Sequence, residues 1–130
     1  MILDSSAIVA VLRAESDAPK FARAIEATPI RRVSAVSYVE SSAVIESGGD
    51  AVASRRFDDF FRASRILVEA VTLKQAELAR QAYRDFGKGR HKAGLNFGDC
   101  FAYALAKEMD EPLLFKGSDF GHTDVEVAEI

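Results

Sequence analysis

The sequence predicts an α/β fold, a three-layer α/β/α sandwich around a mostly parallel central sheet, and two observations carry that prediction. Short apolar runs of strand length alternate with longer segments of helical period, the pattern of a sheet covered by helices on both faces. In addition, Asp4 and Asp119 fall just beyond apolar runs near the two ends of the chain, and open α/β sheets place their chemistry at the carboxyl ends of their strands.

The first strand is Ile2–Leu3, closed by Asp4, and a helix is expected over Ser6–Arg13. A second helix spans Ala18–Ala27, with Asp17 as a cap ahead of Pro19. The next apolar run predicts a strand over Arg32–Val36. Ser37 followed three residues later by Glu40 reads as a capping box that opens a helix over Tyr38–Glu46, which Gly48 and Gly49 end. A helix over Asp50–Arg62 and a strand over Ile66–Val71 follow. The long helix Leu73–Phe86 is closed by Gly87, and a polar, irregular segment from Gly87 to Gly94 leads to a helix over Phe97–Met109. Leu113–Phe115 is the next strand, and Val125–Ala128 is expected as a last strand at the sheet edge.

At 130 residues and 48% hydrophobic composition the chain can build one sizeable core but not two, so residues 1–130 are expected to form a single domain. A formal charge of −3, from 17 basic and 20 acidic residues, excludes a protein that coats nucleic acid by bulk charge. Any polyanion must be met by a local basic patch. The only cysteine, Cys100, excludes an internal disulfide, and the isolated His91 and His122 offer no Cys/His zinc spacing. These features fit a reducing cytoplasm. No apolar run approaches the ~20 residues that span a bilayer, and Asp4 lies too near the start for a presequence, so a soluble, unprocessed chain is expected.

Four carboxylates sit at element ends: Asp4, Glu40, Asp99 and Asp119. Taken singly, an acid in the first turn of a helix is a capping residue favoured by the free N–H groups. Taken together, the ends that carry them should converge on one edge of the sheet. Two unit charges about 4 Å apart repel by roughly 4 kcal/mol at an effective dielectric of about 20, so an uncompensated cluster would protonate or splay. A cation resolves the conflict. Oxygen ligands without His or Cys select Mg²⁺ or Mn²⁺, and an ion so held polarises a phosphoryl oxygen and lowers the pKa of a water attacking in line. Asp4 and Asp99 are assigned central ligand roles. Glu40 is a ligand or positions water, and Asp119 acts through water or a second ion. Ser6 hydrogen-bonds a carboxylate or a ligand water, or simply caps its helix.

The stretches MILDSSAIVAVL, SYVESSAVIE, GKGRHKAGLNFGDCFAYALAK and PLLFKGSDF, in this order, resemble a PIN-domain ribonuclease, and more narrowly the VapC toxins of type II toxin-antitoxin modules. The likeness covers the whole chain. It implies Mg²⁺- or Mn²⁺-dependent endonucleolytic cleavage of RNA, homodimerisation, and inhibition by a cognate VapB-type antitoxin. The family's acids map onto Asp4, Glu40, Asp99 and Asp119. Family members often carry Asn or Asp where Ser118 stands, so a fifth acid is missing here, and Asp124 is a candidate substitute.

Lys88, Arg90, His91 and Lys92 place positive charge just before the helix bearing Asp99, as phosphate-binding residues or as a solvated loop. Arg31, Arg32 and Lys116 are weaker candidates for the same task. Phe57, Phe60 and Phe61 cannot all share one buried face, so they supply either core or a partner surface. Cys100 reads as a small buried residue rather than a nucleophile. Rival readings are a catalytically inactive RNA- or antitoxin-binding module, a receiver-like Mg²⁺ signalling domain suggested by Lys116, and a haloacid-dehalogenase-like phosphatase, whose motif needs an Asp where Ser6 stands.

Overall fold

Strand-length and helix-length segments alternate through all of residues 1–130, every one of which the computed structural model describes. In chain order they are β1 (Ile2–Leu3), α1 (Ser5–Leu12), α2 (Ala18–Ala27), β2 (Arg31–Ser34), α3 (Ala35–Ile45), α4 (Ala51–Ala63), β3 (Ile66–Glu69), α5 (Leu73–Phe86), α6 (Phe97–Met109), β4 (Leu113–Leu114) and a 3-10 turn at Asp119–His122. The strands form one parallel sheet in the order β3-β2-β1-β4. Its helices cover both faces, as the sequence predicts.

Successive strand residues point to opposite faces, so β1 and β4 feed a core on each side of the sheet, while β2 and β3 feed one. Leu3, Val33, Ile66 and Leu114 pack with Ile8, Phe21, Ile25, Phe57 and Phe61 from α1, α2 and α4. Ile2 and Leu113 pack on the other side with Ala79, Ala82, Tyr103 and Leu105 from α5 and α6. Phe57 and Phe61 are buried and Phe60 is partly buried, with Tyr38 closing an aromatic cluster whose Phe57–Phe61 centroids are 4.7 Å apart. These phenylalanines are therefore core; truncating a ring such as Phe57 to Ala costs about 3–5 kcal/mol.

Several boundaries differ from the sequence reading. β2 stops at Ser34, not Val36, because the Ser34 side chain accepts a hydrogen bond from Val36 N and turns the chain into α3. Ser37 and Glu40 are thus already inside that helix and form no capping box. β3 ends at Glu69 rather than Val71, matched in register to the four residues of β2. Asp4, not Ser6, caps α1, and Asp17 makes no side-chain cap. Val125–Ala128 forms no strand. A single parallel bridge joins Leu113 to Val127, because β4 is only two residues long. No helix is long and apolar enough to cross a membrane.

Candidate active site

Strand order reverses at β1: β2 and β3 lie on one side of it and β4 on the other. A parallel sheet opens a crevice beyond the carboxyl ends of its strands at such a switch point. Asp4 occupies this position, its backbone N–H bonded to Leu114 O at the end of β4. Around it is an open cleft of about 480 Å³ to which α1, α3 and α6 contribute Asp4, Glu40, Asn96 and Asp99.

Asp4 is only 2% exposed. Its Oδ2 accepts bonds from Ser6 N at 3.0 Å and Ser6 Oγ at 2.5 Å. The Ser6 hydroxyl in turn accepts from Lys116 N at 3.0 Å, so its one proton goes to Asp4. The chain Lys116–Ser6–Asp4 thereby fixes one carboxylate oxygen, and the other, Oδ1, is buried with no hydrogen-bond partner. Glu40 is held through Oε1, which accepts from Ser5 Oγ at 2.7 Å. Asp99 is the third residue of α6 and closes a reciprocal box with Asn96: Asn96 N donates to Asp99 Oδ2 at 3.0 Å, and Asp99 N donates to Asn96 Oδ1 at 2.9 Å. Ser5 and Asn96 were not singled out from the sequence, although the Asn96–Asp99 spacing carries the capping signal.

The electrostatics follow from burial and crowding. Burial pushes the Asp99 carboxyl up to about 6, opposed by the Asn96 N–H and reinforced by the charges of Asp4, Glu40 and Asp119. Asp4 is also raised, chiefly by burial and further by Glu40, against the lowering effect of the Ser6 bonds. Asp119 opens the 3-10 turn at the exposed rim; its charge reaches Asp99, but it does not line the cleft. Asp124 is not the substitute acid. Tyr103 Oη at 2.5 Å and Lys107 Nζ at 3.1 Å engage it.

The basic candidates separate into two groups. Arg31 donates to the carbonyls of Ile25, Glu26 and Ser64, and Arg32 pairs with Glu69 and Glu111, so both are tied down where β2 begins, away from the acids. Lys88, Arg90 and Lys92 are exposed and form no ion pair, on a loop whose ends are bridged by Gly87 and Leu95. That loop runs directly into Asn96. His91 is half-buried within it, accepting from Ala93 N through Nδ1 and standing edge-on to Phe86, so it shapes the loop. Lys116 lines the cleft but is paired to Glu15 and Asp17 at 3.0 and 3.2 Å. Cys100 is buried and its thiol is pushed up to about 11 by burial and by Asp99, which leaves no thiolate for nucleophilic attack at neutral pH.

The donor set suits a hard divalent cation: carboxylates only, one with a buried oxygen that no protein group satisfies. No three of these side chains alone enclose a point that could hold an ion. Ligation by two carboxylates with water filling the other positions meets that geometry, since Mg²⁺ keeps several waters.

The PIN domain family matches residues 1–126. Ribonuclease VapC28 of Mycobacterium tuberculosis is 54% identical over 129 residues, 98% of this chain and 97% of that protein. Among solved structures, Mycobacterium tuberculosis VapC20, described as a sarcin-ricin loop cleaving toxin, has a TM-score of 0.79 at 15% identity, covering 99% of this chain and 98% of its own. A toxin-antitoxin complex from Klebsiella pneumoniae gives 0.73 at 15% identity, covering 98% and 95%. Those two structures bear on the fold, which they share, and the sequence match bears on the family. With more than half its residues identical to such a protein along nearly its entire length, the chain belongs to the PIN-domain family and, within it, to the VapC ribonucleases.

Proposed function

We propose that the chain is an endoribonuclease toxin that uses Mg²⁺ or Mn²⁺ to hydrolyse RNA phosphodiester bonds in the cytoplasm, as a homodimer restrained by a VapB-type antitoxin. The observation that carries this reading is the buried, unpartnered Oδ1 of Asp4 beside a cleft shared with Glu40 and Asp99. The divalent ion, when bound, supplies the positive charge that polarises the scissile phosphoryl group and acidifies the attacking water.

The chain's own residues do the rest. Asp4, through Oδ1, and Asp99 hold the ion. Glu40, fixed by Ser5, orients the water, and Asp119 acts from the rim through water or at a second ion. Ser6 keeps Asp4 from rotating. Lys88, Arg90 and Lys92, on the loop that His91 shapes, meet the RNA phosphates beside the cleft. Likeness to a toxin-antitoxin complex supports the antitoxin partner. The homodimer draws on the α5–α6 face, where the Phe97 ring is 72% exposed next to Phe101 and a groove lined by Ala76 and Tyr83.

The test is cleavage of total RNA by the purified protein with Mg²⁺ or Mn²⁺, with a chelator, and with the Asp4→Asn and Asp99→Asn variants. Cleavage is expected only from the wild type with metal. Wild-type rates in either folded variant would remove the site assignment, and RNA binding without any cleavage would favour a binding module.

A further inference from the structure

Gly98, the second residue of α6, lies buried beneath the Glu40 carboxylate. A Cβ at this position would stand 2.1 Å from Glu40 Oε2, 2.8 Å from its Cδ and 3.0 Å from Oε1, and these are the three nearest atoms it would meet. The backbone there is helical, so nothing in the conformation itself demands glycine. Glycine is in fact a poorer helix former than alanine. What the missing side chain provides is room for one carboxylate.

We infer that Gly98 is a positioning residue for Glu40: its bare Cα lets the carboxylate from α3 settle on the first turn of α6, between the Ser5 hydroxyl and Asp99. Two features of the geometry support this. Ser5 Oγ donates to Oε1 at 2.7 Å, and Oε2 is the atom nearest to where a Gly98 Cβ would stand, so the carboxylate is bonded at one oxygen and seated on the glycine with the other. The first turn of a helix also presents backbone N–H groups without intrahelical partners, which favour an anion brought this near. A methyl group at position 98 would therefore push away the far end of a flexible side chain and leave the backbone in place. The substitution should cost little in folding and much in the cleft.

The inference rests on the proposed role of Glu40, so its test is a double-mutant cycle of Gly98→Ala and Glu40→Ala, read by Mn²⁺ titration, RNA cleavage and thermal unfolding without metal. Gly98→Ala is expected to unfold at or above the wild-type temperature, yet to bind Mn²⁺ about tenfold more weakly, the scale typical of residues that orient a ligand. In the Glu40→Ala background the same change should have no further effect. Glu40→Asp combined with Gly98→Ala, one methylene shorter, should recover part of the affinity. Additive losses in the cycle, or wild-type Mn²⁺ binding by Gly98→Ala, would overturn the inference while leaving Glu40 in the site. Failure to fold in both backgrounds would assign Gly98 to backbone packing and overturn it too. Wild-type behaviour of Glu40→Ala alone would remove the role of Glu40 and the inference with it.

Discussion

Replacing Asp99 by Asn should make the metal-free protein more stable and the metal-loaded protein less so. Folding raises the Asp99 carboxyl from 3.8 to about 6, by burial first and then by Asp4, Glu40 and Asp119. A carboxyl that holds its proton more tightly in the folded state contributes stability that is full below about pH 4 and is lost as pH rises through about 6. At pH 7.5 the charged group is therefore a burden. At 1.36 kcal/mol per pKa unit the burden is about 3 kcal/mol, and because Asp99 remains partly open to solvent, about 1–2 kcal/mol is expected to survive screening. Asparagine removes the charge while its side-chain oxygen can still accept from Asn96 N. Thermal unfolding in a chelator should then show Asp99→Asn about 3–6 °C above the wild type at pH 7.5, with the gap closing near pH 4. Saturating Mn²⁺ should reverse the order, since a ligand at a hundred times its Kd stabilises by about 2.7 kcal/mol and only the wild type would bind it. Equal unfolding temperatures in chelator at pH 7.5, or equal Mn²⁺ stabilisation of both proteins, would refute the reasoning.

Three further perturbations probe separate parts of the site. Ser6→Ala removes the hydroxyl that joins Lys116 N to Asp4 Oδ2, so Mn²⁺ affinity measured by titration should fall about tenfold, with about 1 kcal/mol lost from folding; unchanged affinity would mean Asp4 needs no such brace. Replacing Lys88, Arg90 and Lys92 by Gln should weaken RNA binding and flatten its dependence on log salt by about 0.7 for each phosphate that is no longer neutralised; fluorescence anisotropy over a salt series checks this, and an unaltered slope would place the RNA elsewhere. Phe97→Glu should convert a dimer to a monomer in sedimentation, because it buries a charge in any interface formed on that exposed ring.

The sequence carried those parts of the molecule that depend on local pattern. Alternating apolar runs revealed the parallel sheet, and the acids just after β1 and in the first turn of α6, Asp4 and Asp99, do line one cleft; Glu40 joins them from inside α3 rather than from its end. Local signals misled where a residue fitted two patterns. Arg32 to Val36 reads as one continuous strand, but the Ser34 hydroxyl captures Val36 N and starts α3 early. Val125–Ala128 has strand composition, yet a two-residue neighbour offers it one bridge only. Pairings between distant positions left no trace in the pattern. Asp124 has the look of an available acid, but Tyr103, 21 residues away, holds it, and the seat that Gly98 makes for Glu40 joins two helices that no periodicity connects.

Diffraction from crystals soaked in Mn²⁺, at a wavelength where manganese scatters anomalously, tests the central claim without any knowledge of the RNA substrate. The expected result is a single strong peak within ligand distance of Asp4 Oδ1 and an Asp99 oxygen, with Glu40 beside it and a weaker peak or ordered water towards Asp119. No peak at the cleft, with Asp4 Oδ1 still unpartnered at a Mn²⁺ concentration well above physiological levels, would contradict it.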